Sequence, residues 1–227
     1  MTARQKWPEL RDLPCYAVSD AALYLQLSKS TLRAWTFGQE GFRPVIKLPD
    51  DAHLLSFVNL VEAHVLKAIR RHHGVTLPAV RRALDFVERE LGVPQPLAHQ
   101  QFETDGVSLF VSHLDQLVNA SHGGQVAMED VVRAYLRRVQ RDAYGVPIRL
   151  FPMTRSTEDP DQPNVVVIDP AVAFGRPTIA GAGVPTDAIA DRYKAGDSIE
   201  DLMEDYRISR EAIDEAIRCE LGYRRAA

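Results

Sequence analysis

The sequence predicts a mainly α fold with short β-hairpins, and three observations support this prediction. Apolar residues recur at helical spacing through most of the chain, and capping residues bound the segments that contain them. The apolar β-branched runs are short and are flanked by Gly or Pro. The charge also divides the chain: residues 1–150 carry 18 Lys and Arg against 16 Asp and Glu, or +2, whereas residues 151–227 carry 9 against 15, or −6. We therefore expect three regions, over 1–75, 76–153 and 154–227.

The first region contains two short predicted helices joined by a tight turn. The first helix is capped by Ser19 or Asp20, and Ser28 caps a second helix over Lys29–Phe37. The polar residues of the second helix are then expected to point outward: Lys29, Ser30, Thr31 and Arg33. This is the geometry of a helix-turn-helix, in which the N-terminal side chains of the second helix reach base edges and phosphates in the major groove.

The next segment, Gly41–Leu48, is predicted to form a β-hairpin wing whose Arg43 and Lys47 contact the phosphate backbone. The two helices and this wing resemble the winged helix-turn-helix of MerR-type regulators, since the run Thr31-Leu32-Arg33-Ala34-Trp35 is similar to the second helix of that family. The resemblance implies DNA binding through Lys29, Ser30, Thr31, Arg33, Arg43 and Lys47. The alternative is a generic helical hairpin whose Lys and Arg side chains are solvated.

The middle of the chain is predicted to be mostly helical. Leu54–His72 is apolar on more than one face, so we expect a buried helix there. A second helix follows the cap Thr76 and ends before Gly92, and an amphipathic helix covers Val126–Asp142. Between them, Asp105-Gly106 predicts a β-hairpin, because apolar runs flank it on both sides. Leu54–His72 and Val126–Asp142 are the expected dimerisation surfaces.

The last region is predicted to be a small domain of short strands and three helices. A polar segment over 154–164 precedes it and is expected to be a flexible linker or an exposed loop. Strands are expected at Pro147–Phe151, Val165–Ile168 and Thr178–Ala180. Three helices are expected to begin near Thr186, Ser198 and Ser209.

A set of motifs runs through this last region in a fixed order: Ile168-Asp169-Pro170, the turn from Gly175 to Gly181, Val184-Pro185, Gly196-Asp197-Ser198 and Tyr206. In order and spacing they resemble a small bacterial domain of unknown function that is grouped with VapB-type antitoxins, including those of mycobacteria and other actinobacteria. One departure is Ala182-Gly183, where many members have Thr-Arg. The resemblance implies an antitoxin of a type II toxin–antitoxin system. Such a protein neutralises a cognate PIN-like ribonuclease toxin and, as a homodimer, represses its own operon by binding operator DNA.

Residues that contact the toxin are predicted on the Gly-Arg-Pro turn and the helices after it. The guanidinium of Arg176 can bridge backbone carbonyls or bind a carboxylate, such as one in the acidic metal site of a nuclease. The other candidate residues are Tyr193, Glu200, Glu204 and Tyr206. The spacing of Glu200, Asp201, Glu204 and Asp205 permits either a metal-binding, nuclease-like cluster or a solvated acidic face, and we favour the face.

The sequence contains no recognisable catalytic or cofactor-binding motif. Its seven histidines and two cysteines lack metal-ligand spacing, and there is no phosphate-binding loop and no nucleophile motif. We expect a cytoplasmic protein that is not an enzyme and has no catalytic residue, metal or cofactor, because no secretory signal and no long apolar run occur. The alternative function is a stand-alone DNA-binding transcriptional regulator whose C-terminal domain serves dimerisation or ligand sensing.

Overall fold

The computed structural model describes residues 9–49, 52–70, 75–118, 122–155 and 162–223. These residues form nine α-helices and one small sheet, which confirms the predicted mainly α fold. The helices are α1 Val18–Tyr24, α2 Lys29–Phe37, α3 Phe57–Arg70, α4 Leu77–Leu91, α5 Val107–Val118, α6 His122–Leu136, α7 Thr186–Ala195, α8 Ile199–Tyr206 and α9 Arg210–Tyr223.

The sheet has four short antiparallel strands in sequence order: β1 Val139–Arg141, β2 Pro147–Leu150, β3 Val166–Ile168 and β4 Pro177–Ile179. The predicted strands at Pro147–Phe151, Val165–Ile168 and Thr178–Ala180 are confirmed within one or two residues. Because β2 pairs with β3 through Leu150 and Ile168, the sheet joins the middle and the last part of the chain.

Helix α3 is the centre of the larger hydrophobic core. From Phe57 to Ile69 all of its residues except Lys67 are buried, as its apolar sequence predicts, and α4, α5 and α6 contribute to the same core. The ring of His64 is also buried; its Nε2 lies 3.1 Å from the carbonyl of Tyr135, and burial lowers the pKa of His64 to about 3. Helix α3 is therefore a core helix of the chain, in which only Lys67 and Arg70 are partly exposed.

The start of α3 is set by side-chain capping. The amide of Ser56 donates to Asn59 Oδ1 (3.1 Å), and the amide of Asn59 donates to Ser56 Oγ (3.2 Å). This reciprocal pair fixes the start at Phe57 instead of the predicted Leu54. The predicted end at His72 lies outside the described residues. The next helix follows the prediction, with Thr76 as cap and Gly92 in a left-handed conformation after its end.

The predicted hairpin around Asp105-Gly106 is wrong. A π-helical turn over Phe102–Gly106 leads directly into α5, in which the buried residues recur three and four positions apart: Val107, Phe110, Val111 and Leu114. A Cβ atom at Gly106 would lie 2.9 Å from the Phe102 ring and 3.1 Å from Leu91. Gly106 therefore permits close packing of a helical segment, and burial of these side chains outweighs the local turn preference.

The predicted helix Val126–Asp142 is too long at its C-terminal end. Helix α6 ends at Leu136, and Arg138 turns inward before β1 begins. The buried guanidinium of Arg138 donates to the carbonyls of Phe151 and Gln162, each at 2.7 Å. It thereby satisfies one backbone carbonyl before the predicted linker over 154–164 and one within it. At the described ends of that linker, Thr154 and Gln162 are buried, and residues 156–161 lie outside the described part of the chain.

A second hydrophobic core fills the last part of the chain. It is formed by β3, β4, α7, α8 and α9, with Ile189, Leu202 and Ile213 near its centre. The three predicted helices are confirmed, and Ser198 caps α8 in a reciprocal capping box with Asp201. Leu23 and Tyr24 of α1 pack against this core as well, so the N-terminal helix pair contacts the last region directly.

Candidate functional site

The N-terminus of α2 is held in place by its cap. The Ser28 hydroxyl accepts a hydrogen bond from the amide of Thr31 (3.1 Å) and lies 2.7 Å from the Thr31 hydroxyl. Lys29, Ser30 and Arg33 are exposed, as predicted for a recognition helix. Thr31 is only partly exposed, because its hydroxyl faces the cap. The structure therefore brings three of the four predicted α2 side chains to an open surface.

Helix α2 is fixed to the body of the protein by its other face. Leu32 and Trp35 are buried there, and the turn before the helix places Gln26 in a left-handed conformation, φ 52°. The Gln26 side chain donates to the carbonyl of Thr154 (3.4 Å), and Lys67 donates to the carbonyl of Leu25 (2.7 Å). These contacts with the rest of the protein fix the position of the helix pair, and therefore also the position of the exposed face of α2.

Arg33 lies along the surface of α2. Its guanidinium carbon is 5.4 Å from the centre of the Phe37 ring, one helical turn further on, and the Phe37 side chain is itself partly exposed. This cation–π contact restricts the conformations of the Arg33 side chain while its donors stay accessible.

The predicted β-hairpin wing over Gly41–Leu48 is not formed. The segment has one isolated bridge, between Gln39 and Phe42, and no two-stranded ladder. The amides of Val45 and Ile46 both donate to the carbonyl of Trp35 at the end of α2 (2.9 Å each). Because both amides bond to the carbonyl of Trp35, they are not available to pair with a second strand within the segment. The segment therefore packs against the end of α2 and does not form a hairpin.

The two predicted wing cations have different surroundings. The side chain of Arg43 is exposed, and its carbonyl accepts a hydrogen bond from Arg81. Lys47 Nζ lies 2.7 Å from Glu88 Oε2 of α4, and this contact raises the pKa of Lys47. Lys47 is therefore paired within the protein, whereas the side chain of Arg43 is exposed.

A cleft of about 490 Å³ lies beside α2, and two further basic residues line it. Ser30 and Thr31 form one wall, and Lys67 and Arg70 of α3 form another. Sequence reasoning assigned Lys67 and Arg70 only to the helix, although basic residues near a helix end beside a helix-turn-helix are a detectable feature. The cleft extends the basic surface of α2 towards the C-terminal end of α3.

A more enclosed cavity of about 180 Å³ lies under the segment that carries Arg43 and Lys47. Glu62 of α3 reaches this cavity and is buried. Its Oε2 accepts hydrogen bonds from the side-chain amides of Asn59 (3.0 Å) and Gln95 (3.1 Å). Burial raises the pKa of Glu62 to about 7. A carboxyl group that titrates near neutral pH therefore lies directly beneath the predicted wing.

In the last region, the Gly-Arg-Pro turn has an uncommon backbone. Ala173, Phe174 and Gly175 have φ angles of 48°, 57° and 75°, so three consecutive residues are left-handed. Gly175 also approaches the N-terminal region, since a Cβ atom there would lie 2.1 Å from Tyr16 Oη. Sequence reasoning missed Phe174, whose side chain is 94% exposed; a Phe before Gly-Arg-Pro is the feature that could have drawn attention to it.

Arg176 stabilises this turn. Its Nε donates to the carbonyl of Ala173 (3.4 Å), and its Nη1 lies 3.0 Å from Asp187 Oδ2 on α7. On the other side of the turn, Asp169 accepts from the amide of Ala171 (2.9 Å) and from Arg149 (2.8 Å). Arg176 remains about half exposed, so the same side chain has a structural contact and an accessible surface.

The other predicted contact residues lie on α7 and α8. Tyr193 is 43% exposed, Glu204 is exposed, and Glu200 is exposed but paired with Arg210 (2.9 Å). The Tyr206 ring lies 5.4 Å from the guanidinium of Arg192. We use the name acidic face for the surface of α7 and α8 that carries these four residues together with the exposed carboxylates Asp201 and Asp205. Arg176 lies apart from it, on the turn that contacts the first residues of α7.

Arg192, which the sequence did not single out, links the two helices of the acidic face. It lies 2.7 Å from Asp205 and 2.5 Å from Asp197, and hydrogen bonds to Asp205 and then Asp197 raise its pKa. Among the described residues, no group of three or more His, Cys, Asp or Glu side chains is placed to hold a metal ion. Three carboxylates of α8 have such contacts instead: Glu200 pairs with Arg210, Asp205 pairs with Arg192, and Asp201 takes part in the capping box.

No helix in the described part of the chain has the length and apolar character needed to cross a membrane. Cys15 is exposed, Cys219 is buried, and neither belongs to a disulfide bond within the described residues.

Comparison with known proteins finds likeness over the whole chain. Residues 166–218 match the family described as "Protein of unknown function (DUF433)". The chain is 28% identical over 235 residues to "Putative antitoxin VapB45" of Mycobacterium tuberculosis, which covers 92% of this chain and 95% of that protein. It is 22% identical over 242 residues to "Uncharacterized protein Rv2308" of the same organism, covering 100% and 98% of the two chains.

The crystal structure of Rv2018 from Mycobacterium tuberculosis has a similar fold. It superposes with a TM-score of 0.70 at 24% sequence identity, and the match covers 90% of this chain and 98% of that one. The fold described above is therefore shared over nearly the whole length of that chain.

Proposed function

We propose that this chain is the antitoxin of a type II toxin–antitoxin pair, which neutralises a PIN-like ribonuclease and represses its own operon by binding DNA. The observation that carries the proposal is the similarity to the VapB45 relative, which extends over 92% of this chain. The match to a short family model alone would cover only residues 166–218. The similarity to a protein named as an antitoxin includes the N-terminal helix pair as well.

For DNA, the proposal assigns recognition to the exposed residues of α2. Lys29, Ser30 and Arg33 lie on its open face, and the cleft beside it adds Lys67 and Arg70. Side chains near the start of a recognition helix reach base edges, and flanking cations bind phosphates. The overall charge of −4 does not oppose this, because phosphate contact depends on the local patch.

The two residues of the predicted wing are expected to contribute unequally. Arg43 is free to contact the backbone of the duplex, whereas Lys47 must first leave Glu88. Because that ion pair is exposed, breaking it costs less than about 1 kcal/mol. Lys47 therefore remains a phosphate contact in the proposal, with a smaller contribution to affinity than Arg43.

For the toxin, the proposal assigns Arg176 and the acidic face, with Tyr193, Glu200, Glu204 and Tyr206. The tyrosines supply apolar contact area with a polar end, and the carboxylates favour a basic surface on the partner. Arg176 is accessible on its own turn and can bind a carboxylate of a nuclease site.

The proposal is tested by co-expression with the product of the adjacent gene. We expect the two proteins to purify as one complex, and the chain to restore growth that the neighbour alone inhibits. A double variant, Glu200→Ala with Glu204→Ala, should weaken the complex at least 10-fold. The matched control is Glu90→Ala on α4, an exposed carboxylate outside the acidic face.

The possible outcomes separate the candidate functions. Absence of both a complex and growth rescue would reject the antitoxin proposal. Binding of the chain to its own promoter without any such complex would instead support the stand-alone regulator. An unchanged complex in the double variant would leave the antitoxin proposal standing but remove the acidic face as the contact surface.

A further inference from the structure

The enclosed cavity beneath the segment that carries Arg43 and Lys47 combines apolar walls with one buried carboxyl group. Its volume is about 180 Å³. An engineered protein cavity of about 150 Å³ holds a benzene molecule, so this cavity has room for a ligand of about six to eight non-hydrogen atoms. Its apolar walls come from residues of three separate segments: Pro44, Val45, Leu84, Pro96 and Leu97.

Glu62 supplies the buried carboxyl group. The residue is only 4% exposed, and both hydrogen bonds that it accepts, from Asn59 and Gln95, go to Oε2. The other oxygen, Oε1, therefore has no hydrogen-bond partner among the described residues, although Glu62 lines the cavity. An ionised carboxylate accepts hydrogen bonds on both oxygens, and a buried polar atom without a partner is costly. Oε1 is thus the atom that a ligand in the cavity can satisfy.

The protein holds Glu62 in position from two sides. On one side, the amide nitrogen of Asn59 donates to Glu62 and also to the carbonyl of Lys47 (3.4 Å), while Asn59 Oδ1 accepts from the Ser56 hydroxyl (3.0 Å). On the other side is Gln95, which follows α4 and has a left-handed backbone, φ 50°. A carboxyl group fixed in this way loses little conformational freedom when it binds a ligand.

The other charged residues that line the cavity are engaged elsewhere or exposed to water: Arg43, Lys47, Arg81, Asp85 and Glu88. Lys47 is 63% exposed and pairs with Glu88 at 2.7 Å. Arg81 Nε donates to the carbonyl of Pro44 (3.3 Å), and its Nη2 donates to the carbonyl of the preceding residue. The buried charge that a ligand meets is therefore that of Glu62, and a negative charge favours a cation.

We propose that this cavity binds a small organic cation, an amine or a guanidine, whose N–H groups donate to Glu62 Oε1 and whose carbon atoms lie against the apolar walls. Among the described residues no group of three or more His, Cys, Asp or Glu side chains could hold a metal ion, and apolar walls suit carbon atoms better than a hydrated ion. Burial raises the pKa of Glu62 to about 7, so contact with a cation readily ionises this carboxyl group at neutral pH.

The first experiment measures binding of benzylamine to the full chain by isothermal titration calorimetry at pH 7.5. Benzyl alcohol is the matched neutral probe, because it has the same size and carries no charge. We expect a dissociation constant below about 1 mM for benzylamine. Benzyl alcohol should bind at least about 10-fold more weakly, since it cannot form a charge-assisted hydrogen bond with the carboxylate.

The second experiment locates the probe in the wild-type protein by NMR. We expect nuclear Overhauser effects between the ring protons of bound benzylamine and the methyl groups of Val45, Leu84 and Leu97, which line the cavity. This measurement needs no substitution, so it does not depend on how well a variant folds.

Three variants test the two parts of the site. Glu62→Gln removes the charge and keeps the shape of the side chain, and it should weaken benzylamine binding at least about 10-fold. Val45→Phe fills part of the cavity and should weaken binding by a similar factor although Glu62 is intact. The control Glu90→Gln removes an exposed carboxylate of α4 that does not line the cavity, and it should change the dissociation constant less than about 3-fold.

Four results would overturn the proposal. These are no binding of benzylamine at about 10 mM, equal affinities for benzylamine and benzyl alcohol, wild-type affinity in Glu62→Gln, and Overhauser effects only to methyl groups outside the cavity. Neither the toxin nor DNA takes part in these measurements. The proposed site and the proposed antitoxin function can therefore fail independently of each other.

Discussion

Glu62 shows how a single buried carboxyl group can make the stability of this fold depend on pH. Its Oε2 accepts hydrogen bonds from the side-chain amides of Asn59 and Gln95, and its side chain borders the small cavity under Arg43 and Lys47. Burial raises its pKa from 4.5 to about 7. Between these two values the folded protein holds a proton that the unfolded chain has lost.

The sign of the pH effect follows from this difference. The stabilising contribution is fully present below about pH 4.5 and is lost as the pH rises through 7, where the folded carboxyl group ionises. It amounts to roughly 3 kcal/mol in total. We expect the difference in free energy of unfolding between wild type and Glu62→Gln, measured by urea denaturation from pH 5 to pH 8, to fall with pH. Taking this difference removes the opposite contribution of buried His64, whose lowered pKa makes stability rise with pH up to about 6.5 in both proteins. The exposed Glu90→Gln should keep the wild-type slope; the same slope in Glu62→Gln would contradict the assignment.

At the scale of elements, α2 is the helix whose two faces have separate roles. Leu32 and Trp35 anchor it, and the opposite face carries Arg33, which is held over Phe37. A substitution on the open face therefore changes the surface and leaves the anchoring contacts in place. This separation allows the DNA-binding proposal to be tested without disturbing the fold.

We expect Arg33→Ala to weaken binding of the promoter DNA by about 10- to 100-fold, which corresponds to the loss of one good base or phosphate contact. The measurement is a fluorescence anisotropy titration at several salt concentrations, in which wild-type affinity should fall steeply with salt. The matched control is Arg82→Ala, an exposed arginine on α4, which should bind as wild type does. Equal affinities for Arg33→Ala and wild type would remove α2 as the recognition helix.

Elements with local boundary residues were predictable from the sequence. The bounds of α2 follow from Ser28 and Gly38, and those of α4 from Thr76 and Gly92, because capping acts between residues close in sequence. The predicted hairpin at Asp105-Gly106 was wrong, because the segment becomes helical when its side chains are buried against residues far away in the sequence. The wing failed for a similar reason, since a carbonyl of α2 takes up its amides.

At the scale of the whole molecule, the three regions predicted from the sequence contact one another at several places. The sheet continues from β2 to β3, and Arg138 bonds to backbone on both sides of residues 156–161. The Gly-Arg-Pro turn also touches Tyr16 through Gly175. None of these contacts was predictable from the sequence, because each joins residues that are far apart along the chain.

Gly175→Ala tests how strongly the two ends of the protein are joined. The new Cβ atom would lie 2.1 Å from Tyr16 Oη, in addition to the cost of a positive φ. Gly181→Ala is the matched control, because its φ of 80° is similar and nothing lies within 4 Å of the added atom. We expect Gly175→Ala to lose about 1–3 kcal/mol more stability than Gly181→Ala, measured by urea denaturation. Adding Tyr16→Phe should recover part of this difference, and equal losses would show that the contact carries little energy.

The packing of α1 on the second core has a consequence for how this protein can change through evolution. Leu23 and Tyr24 belong to the helix pair proposed to bind DNA, yet they cover the core formed by α7, α8 and α9. A change of side-chain volume on α9 alters the position that α1 can occupy. We therefore expect substitutions at Leu23 and Tyr24 to covary with those on α9 among relatives. The residues matched by the C-terminal family model therefore do not form a complete core by themselves, because the first helix of the chain supplies part of that core.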